Sequence, residues 1–202
     1  IEARSFKIPT FQLAVPIRHR QESVQEYAAE EVLNAIHFIE EQTGEKFDWD
    51  AFFKSMERFN EETDEFLEWM EISKTDYPQV MGVTLALYRY GVYQAAGGRN
   101  QAFLDMDKKL TRMAIEGYEK KLPAAKEYRH RAMTWGVQAA YYTALPIWLL
   151  NCWGVVTITD MLSMVSTEKV NTKDKHQAML DLAYLYENMI MRNRSNGGYE
   201  TG

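Results

Sequence analysis

The sequence predicts an α/β protein, with a large helical block between a first strand and a later βαβ unit. Three observations predict it. Residues 130–160 (HRAMTWGVQAAYYTALPIWLLNCWGVVTITD) read as strand, loop, helix and strand in about thirty residues, the size of a βαβ unit. Residues 8–15 (IPTFQLAV) form an apolar run closed by Pro16 and read as a buried strand. Between the two lie about a hundred residues whose apolar positions recur at helical spacing. The resulting division is residues 1–20 as strand and loop, 21–125 as helical block, and 126–202 as the part containing the βαβ unit.

After the first strand comes a polar, cationic loop, Ile17, Arg18, His19 and Arg20. Residues 21–42 then place Val24, Tyr27, Ala28, Val32, Ala35, Ile36 and Ile39 on one helical face. Thr43-Gly44 ends that helix in the usual glycine manner. A second helix starts near Asp48 or Asp50, both good caps, with Phe52, Met56, Phe59, Thr63, Phe66, Leu67 and Met70 as its stripe. About five residues separate the two helices, which predicts an antiparallel hairpin. Asp76-Tyr77-Pro78 is a break, and residues 80–96 are a third, tyrosine-rich helix ended by Gly97-Gly98. Asn100 caps a fourth helix to about Lys121, with Phe103, Leu110, Met113, Ala114 and Gly117 inward. In the βαβ unit, residues 131–137 are the first strand and residues 142–152 the crossover helix, with Pro146 in an early turn. Trp153-Gly154 breaks that helix, and the β-branched run Val155 to Thr159 is the second strand. Residues 173–193 read as a last helix, with Met179, Leu180, Ala183, Leu185, Tyr186 and Ile190 apolar.

Composition narrows the functional classes. With 202 residues, 46% hydrophobic and 13% aromatic, the chain has ample material for a packed core. A net charge of −6 and the lack of a basic stripe argue against nucleic acid as a partner. No apolar run is long enough for a membrane span, and no signal peptide is visible. One cysteine, Cys152, rules out an intrachain disulfide and any all-cysteine metal cage made by this chain alone, which fits a reducing, cytoplasmic setting. The chain opens at Ile1 and stops after Asn196-Gly197-Gly198, so it reads as a segment of a longer polypeptide.

No catalytic constellation is complete within these residues. The histidines, at 19, 37, 130 and 176, form no metal-ligand spacing; His37 reads as structural. No nucleophile elbow or dinucleotide-binding glycine loop is present. Cys152, at a helix end feeding a strand, reads as a buried inert thiol. Glu30-Glu31, Glu40-Glu41 and Glu61-Glu62 read as solvated helix faces. Tyr141, Tyr142, Trp148 and Trp153 suit either a pocket for an acyl or nucleotide group or ordinary packing. Loops at the carboxyl ends of parallel strands are where ligands bind in such folds. The positions this points to for substrate binding are Arg18, His19, Gln138, Tyr141, Tyr142 and Asp160.

Three stretches resemble the 2-hydroxyacyl-CoA dehydratase family, which includes benzoyl-CoA reductase subunits. IPTFQLAVP followed by a helix closing in EEQTGEKFDWDAF is similar to the family's strand, helix and turn. MERFNEETDEFLEWMEISKTDYP resembles its helix with an Asn among acidic and apolar residues before a proline break. HRAMTWGVQAAYYTALPIWLLNCWGVVTITDM resembles its arginine-led strand, G-x-P loop, helix and glycine-led strand. Gln138 departs from the proline of that loop, and Ala139-Ala140 from the Cys-Trp or Asn-Trp pair of several members.

The resemblance implies Rossmann-like parallel-strand units in the central part of one subunit of a two-subunit, oxygen-sensitive enzyme. It implies a [4Fe-4S] cluster whose ligands lie outside this segment. It also implies an acyl-CoA substrate, a second homologous subunit and an ATP-dependent activator protein. The implied reaction is a radical dehydration of a 2-hydroxyacyl-CoA thioester, a lyase activity. The alternatives are ring reduction of the benzoyl-CoA type, a non-catalytic scaffold, or a small-molecule binding module of the same fold.

Overall fold

The computed structural model of the chain describes residues 8–14, 16, 21–79, 100–122, 128–134, 148–149, 152–160 and 168–187. In these, four helices and two strands are named: α1 (Glu22–Thr43), α2 (Trp49–Ser73), α3 (Gln101–Glu119), β1 (His130–Thr134), β2 (Val155–Asp160) and α4 (Lys175–Glu187). The architecture is mixed, helices with a small parallel sheet, compatible with the expected α/β class. Two compact units divide the chain, Ile1–Met56 with Glu168–Gly202, and Glu57–Thr167.

In the first unit, α1 ends at Gly44, whose φ of 75° is left-handed backbone that a glycine adopts without strain. The Gly44 amide donates to the Glu40 carbonyl at 2.8 Å. The loop to α2 is then fixed by one side chain. Glu40 accepts from the Phe47 amide at 2.9 Å and pairs with Lys46 and His37 at 3.3 and 3.4 Å. Asp48 caps α2, accepting from the Ala51 amide at 2.9 Å, which decides between the two expected caps. Phe47, Trp49, Phe52 and Phe53 form an aromatic cluster around this turn, with the Lys175 ammonium 4.9 Å from the Trp49 ring centroid.

Glu40 is therefore no solvated glutamate. The Phe47 N–H, then His37 and Lys46, hold its carboxyl below its ordinary range. A lowered carboxyl pKa contributes stability that is fully present above the unfolded-state value and lost as pH falls through the folded one. Acid titration of the wild type against Glu40→Gln is expected to show the wild type losing its advantage as the pH drops below the ordinary carboxyl range. An advantage unchanged down to pH 2 would contradict this.

Helix α4 packs on α1 through small residues. Ala28, Ala29, Ala178 and Ala183 are each no more than 1% exposed, and the Tyr186 hydroxyl donates to the Ala28 carbonyl at 3.0 Å. Asp174 caps α4, accepting from the Gln177 amide at 2.7 Å. The first apolar run differs from expectation. Residues 8–13 are exposed, Ile8 by 56%, and none of residues 8–14 pairs as a strand among the described residues. Its anchors there are the Phe11–Phe38 ring contact at 5.6 Å and the Ala14 amide donating to Glu31 at 3.1 Å. An apolar run is buried only where a neighbouring strand or helix covers it, and two anchors cover little.

In the second unit, α2 buries Glu62, Thr63, Phe66, Trp69, Ile72 and Ser73. This face is rotated from the expected stripe, which had Leu67 and Met70 in place of Trp69 and Ile72. Helix α3, capped by Asn100 as expected, buries Leu104, Asp107, Thr111, Ala114 and Gly117. Met113, expected inward, is 58% exposed. The physical reason lies in a polar pair: the Trp69 indole N–H donates to Thr111 Oγ1 at 2.7 Å, and Thr111 donates to the Asp107 carbonyl at 3.0 Å. Around it pack Phe66, Met70 and Leu110. Gly117 sits under Gln79, whose amide donates to the Tyr77 and Leu122 carbonyls, so a Cβ at 117 would overlap that amide. Glu62, expected on a solvated face, is only 4% exposed.

Strands β1 and β2 pair in parallel, His130 with Val155 through Thr134 with Asp160. The register slips between Ala132 and Met133, so Ile158 is passed over. Arg131 ties β1 to the end of α2: its guanidinium donates to the Lys74 and Thr75 carbonyls at 2.9 Å each and lies 3.7 Å from the Asp76 carboxylate. The Tyr128 hydroxyl also donates to the Asp76 carbonyl. Carbonyls left over at a helix end are natural acceptors for such a cation.

Candidate functional site

The parallel pair has two ends, and each holds part of a candidate site. At the carboxyl end, the register sets Thr134 of β1 beside Asp160 of β2. Asp160 is thus where the sequence placed it, at the end of a parallel strand where such folds bind ligands. Arg18, His19, Gln138, Tyr141 and Tyr142 lie outside the described residues, as does the helix expected over 80–96. Of the expected crossover helix, Trp148, Leu149 and Cys152 are described and helical, and Trp153, expected to break it, is helical too, the chain leaving the helix at Gly154.

At the amino end lies a cleft of about 460 Å³ lined by Arg129, His130, Trp148, Leu149, Trp153 and Val155. Its floor is fixed by the backbone: the Arg129 and His130 amides both donate to the Gly154 carbonyl, at 2.7 and 3.1 Å. Gly154 has φ 65°, left-handed backbone in which a side chain would be strained. Trp148 and Trp153 meet edge to face, ring centroids 6.2 Å apart at 66°, and are 50% and 59% exposed. The sequence had left both tryptophans between a pocket and ordinary packing. It missed Arg129 and His130, whose cleft-lining role no motif announces.

Cys152 is exposed, not buried. It lies in the same turn as Trp153, and that turn faces outward before Gly154 redirects the chain. Among the described residues no group of three His, Cys, Asp or Glu side chains converges on a point. No described helix is long and apolar enough to cross a membrane.

The described residues form a mixed protein of helices with a small parallel two-stranded sheet, compatible with the α/β class, and no metal-ligand cluster is found among them. A family model described as 2-hydroxyglutaryl-CoA dehydratase, D-component, matches residues 1–200. The chain belongs to this family, and the resemblance drawn from its three stretches is borne out. No curated protein matches it.

The family is known for an iron–sulfur cofactor. Such clusters are held by sets of cysteine thiolates. This chain has one cysteine, exposed, with no convergent ligands among the described residues. The residues present do not fit a cluster.

Proposed function

We propose that the chain is part of a subunit that dehydrates a 2-hydroxyacyl-CoA thioester, and that its parallel-strand unit is Rossmann-like. The observation that carries the reading is the parallel β1–β2 pair inside a chain that the dehydratase D-component family matches over residues 1–200. The reaction removes a 2-hydroxyl and a proton from the β-carbon. That proton is far too weakly acidic for an ordinary base, so a one-electron route through a ketyl radical at the thioester carbonyl is the chemistry proposed. The electron is supplied by an ATP-dependent activator, and a second homologous subunit completes the enzyme, in the cytoplasm. In this proposal Arg18, His19, Gln138, Tyr141, Tyr142 and Asp160 contact the thioester or the second subunit. The three-part domain division, at about 20 and 125, belongs to the same reading.

The test is anaerobic assay of the assembled enzyme, with its second subunit and activator, on 2-hydroxyacyl-CoA substrates. ATP-dependent formation of the enoyl-CoA is expected, reduced at least tenfold in Asp160→Asn. Reduction of benzoyl-CoA in its place would move the enzyme to the ring-reducing branch. No turnover of either substrate class would leave a scaffold or binding module.

A further inference from the structure

We propose that the cleft at the amino end of the strand pair binds an adenosine phosphate, its base against Trp148 and Trp153 and its phosphate on Arg129. The inference stands on the cleft itself and is independent of the dehydratase reading. At about 460 Å³ the cleft falls within the range of about 300–1,000 Å³ usual for small-molecule sites. Its chemistry is one-sided. Two large indoles supply the apolar wall, and among the described lining residues the charged or titratable groups are Arg129 and His130, with no carboxylate. In a chain of net charge −6, a cleft whose described ionisable lining is an arginine and a histidine is set up for an anion.

Both groups are available. Arg129 and His130 are exposed, and neither side chain makes a hydrogen bond or ion pair among the described residues. A guanidinium is the side chain best matched to phosphate, because its planar fork donates two parallel hydrogen bonds. The indoles are exposed by half or more, and their edge-to-face contact leaves ring surface uncovered. A nucleobase stacks on such a surface whatever its edge pattern. Aromatic face beside phosphate donor is the combination a nucleotide requires.

The cleft is not the end where a reacting group would sit. Four residue steps along β1 separate His130 in the cleft from Thr134, about 13 Å at roughly 3.3 Å per residue, with Asp160 paired to Thr134. A ligand here is a handle or an effector. The same chemistry is presented by the nucleotide end of coenzyme A and by a free adenine nucleotide.

Isothermal titration calorimetry of the full chain at low salt, with adenosine 3′,5′-bisphosphate, coenzyme A and ADP, tests the proposal. Saturable binding is expected, weakened at least tenfold by Arg129→Gln and by Trp153→Leu. Both replaced side chains are exposed, so thermal unfolding of the two variants should match the wild type. Binding of the bisphosphate and coenzyme A over ADP identifies the coenzyme as source; preference for ADP identifies a free nucleotide. No binding by any of the three, or binding that either variant leaves unchanged, overturns the proposal.

Discussion

Replacing Trp69 by alanine is expected to lower stability by about 3–5 kcal/mol, among the largest effects of any single truncation in the chain. The side chain is 4% exposed and sits at the centre of a cluster with Phe66, Met70 and Leu110. Its removal deletes a large apolar volume and leaves a cavity that two helices can only partly close. It also removes the donor that Thr111 accepts at 2.7 Å. The hydrogen bond can be separated from the volume. Thr111→Val keeps the shape but removes the acceptor, and is expected to cost roughly 1–3 kcal/mol. Urea denaturation followed by far-ultraviolet circular dichroism measures both. A loss below 1 kcal/mol for Trp69→Ala would mean that α2 and α3 do not meet through this side chain.

The second large effect is expected at Met179, which is fully buried on α4. Met179→Ala should cost about 2–5 kcal/mol, by lost transfer energy and by the cavity it leaves. Alanines are buried on both helices as well, Ala178 and Ala183 on α4 and Ala28 and Ala29 on α1. Small residues let two helices approach closely, so the reverse change is also harmful. Ala183→Leu should cost about 1–3 kcal/mol through overpacking. Amide hydrogen exchange in α1 and α4 reads both. If Met179→Ala leaves protection in α1 unchanged, the packing of α4 on α1 is wrong.

The elements were largely written in local sequence, because caps and breakers act within a few residues of themselves. Asn100 and Gly44 end or begin helices where the sequence put them, by a side-chain acceptor and by left-handed backbone respectively. The β-branched run after Gly154 is a strand, and it pairs in parallel with β1 as a βαβ unit requires. The sequence put Asp160 at the end of the second strand, where β2 does end, and left Trp148 and Trp153 open between packing and a pocket. It did not reach Arg129 and His130, since an arginine beside a strand has many uses and only a cleft selects one.

What the sequence determined by itself was the mixed α/β class, the family, the helix caps and the parallel strand pair, but not the first strand, since none of residues 8–14 pairs as one among the described residues. Each of these rests on periodicity, local hydrogen bonding or ordered motifs. Tertiary structure alone decided which helix face turns inward. Apolar counting favoured Leu67 and Met113, yet the buried faces carry Glu62, Trp69, Asp107 and Thr111. A polar residue becomes a core residue when a partner on another element satisfies it, as Thr111 does with Trp69 across 42 positions of sequence. The exposure of residues 8–13 and of Cys152 has the same origin. Burial belongs to the neighbour that covers a side chain, and a sequence names the side chain without naming the neighbour.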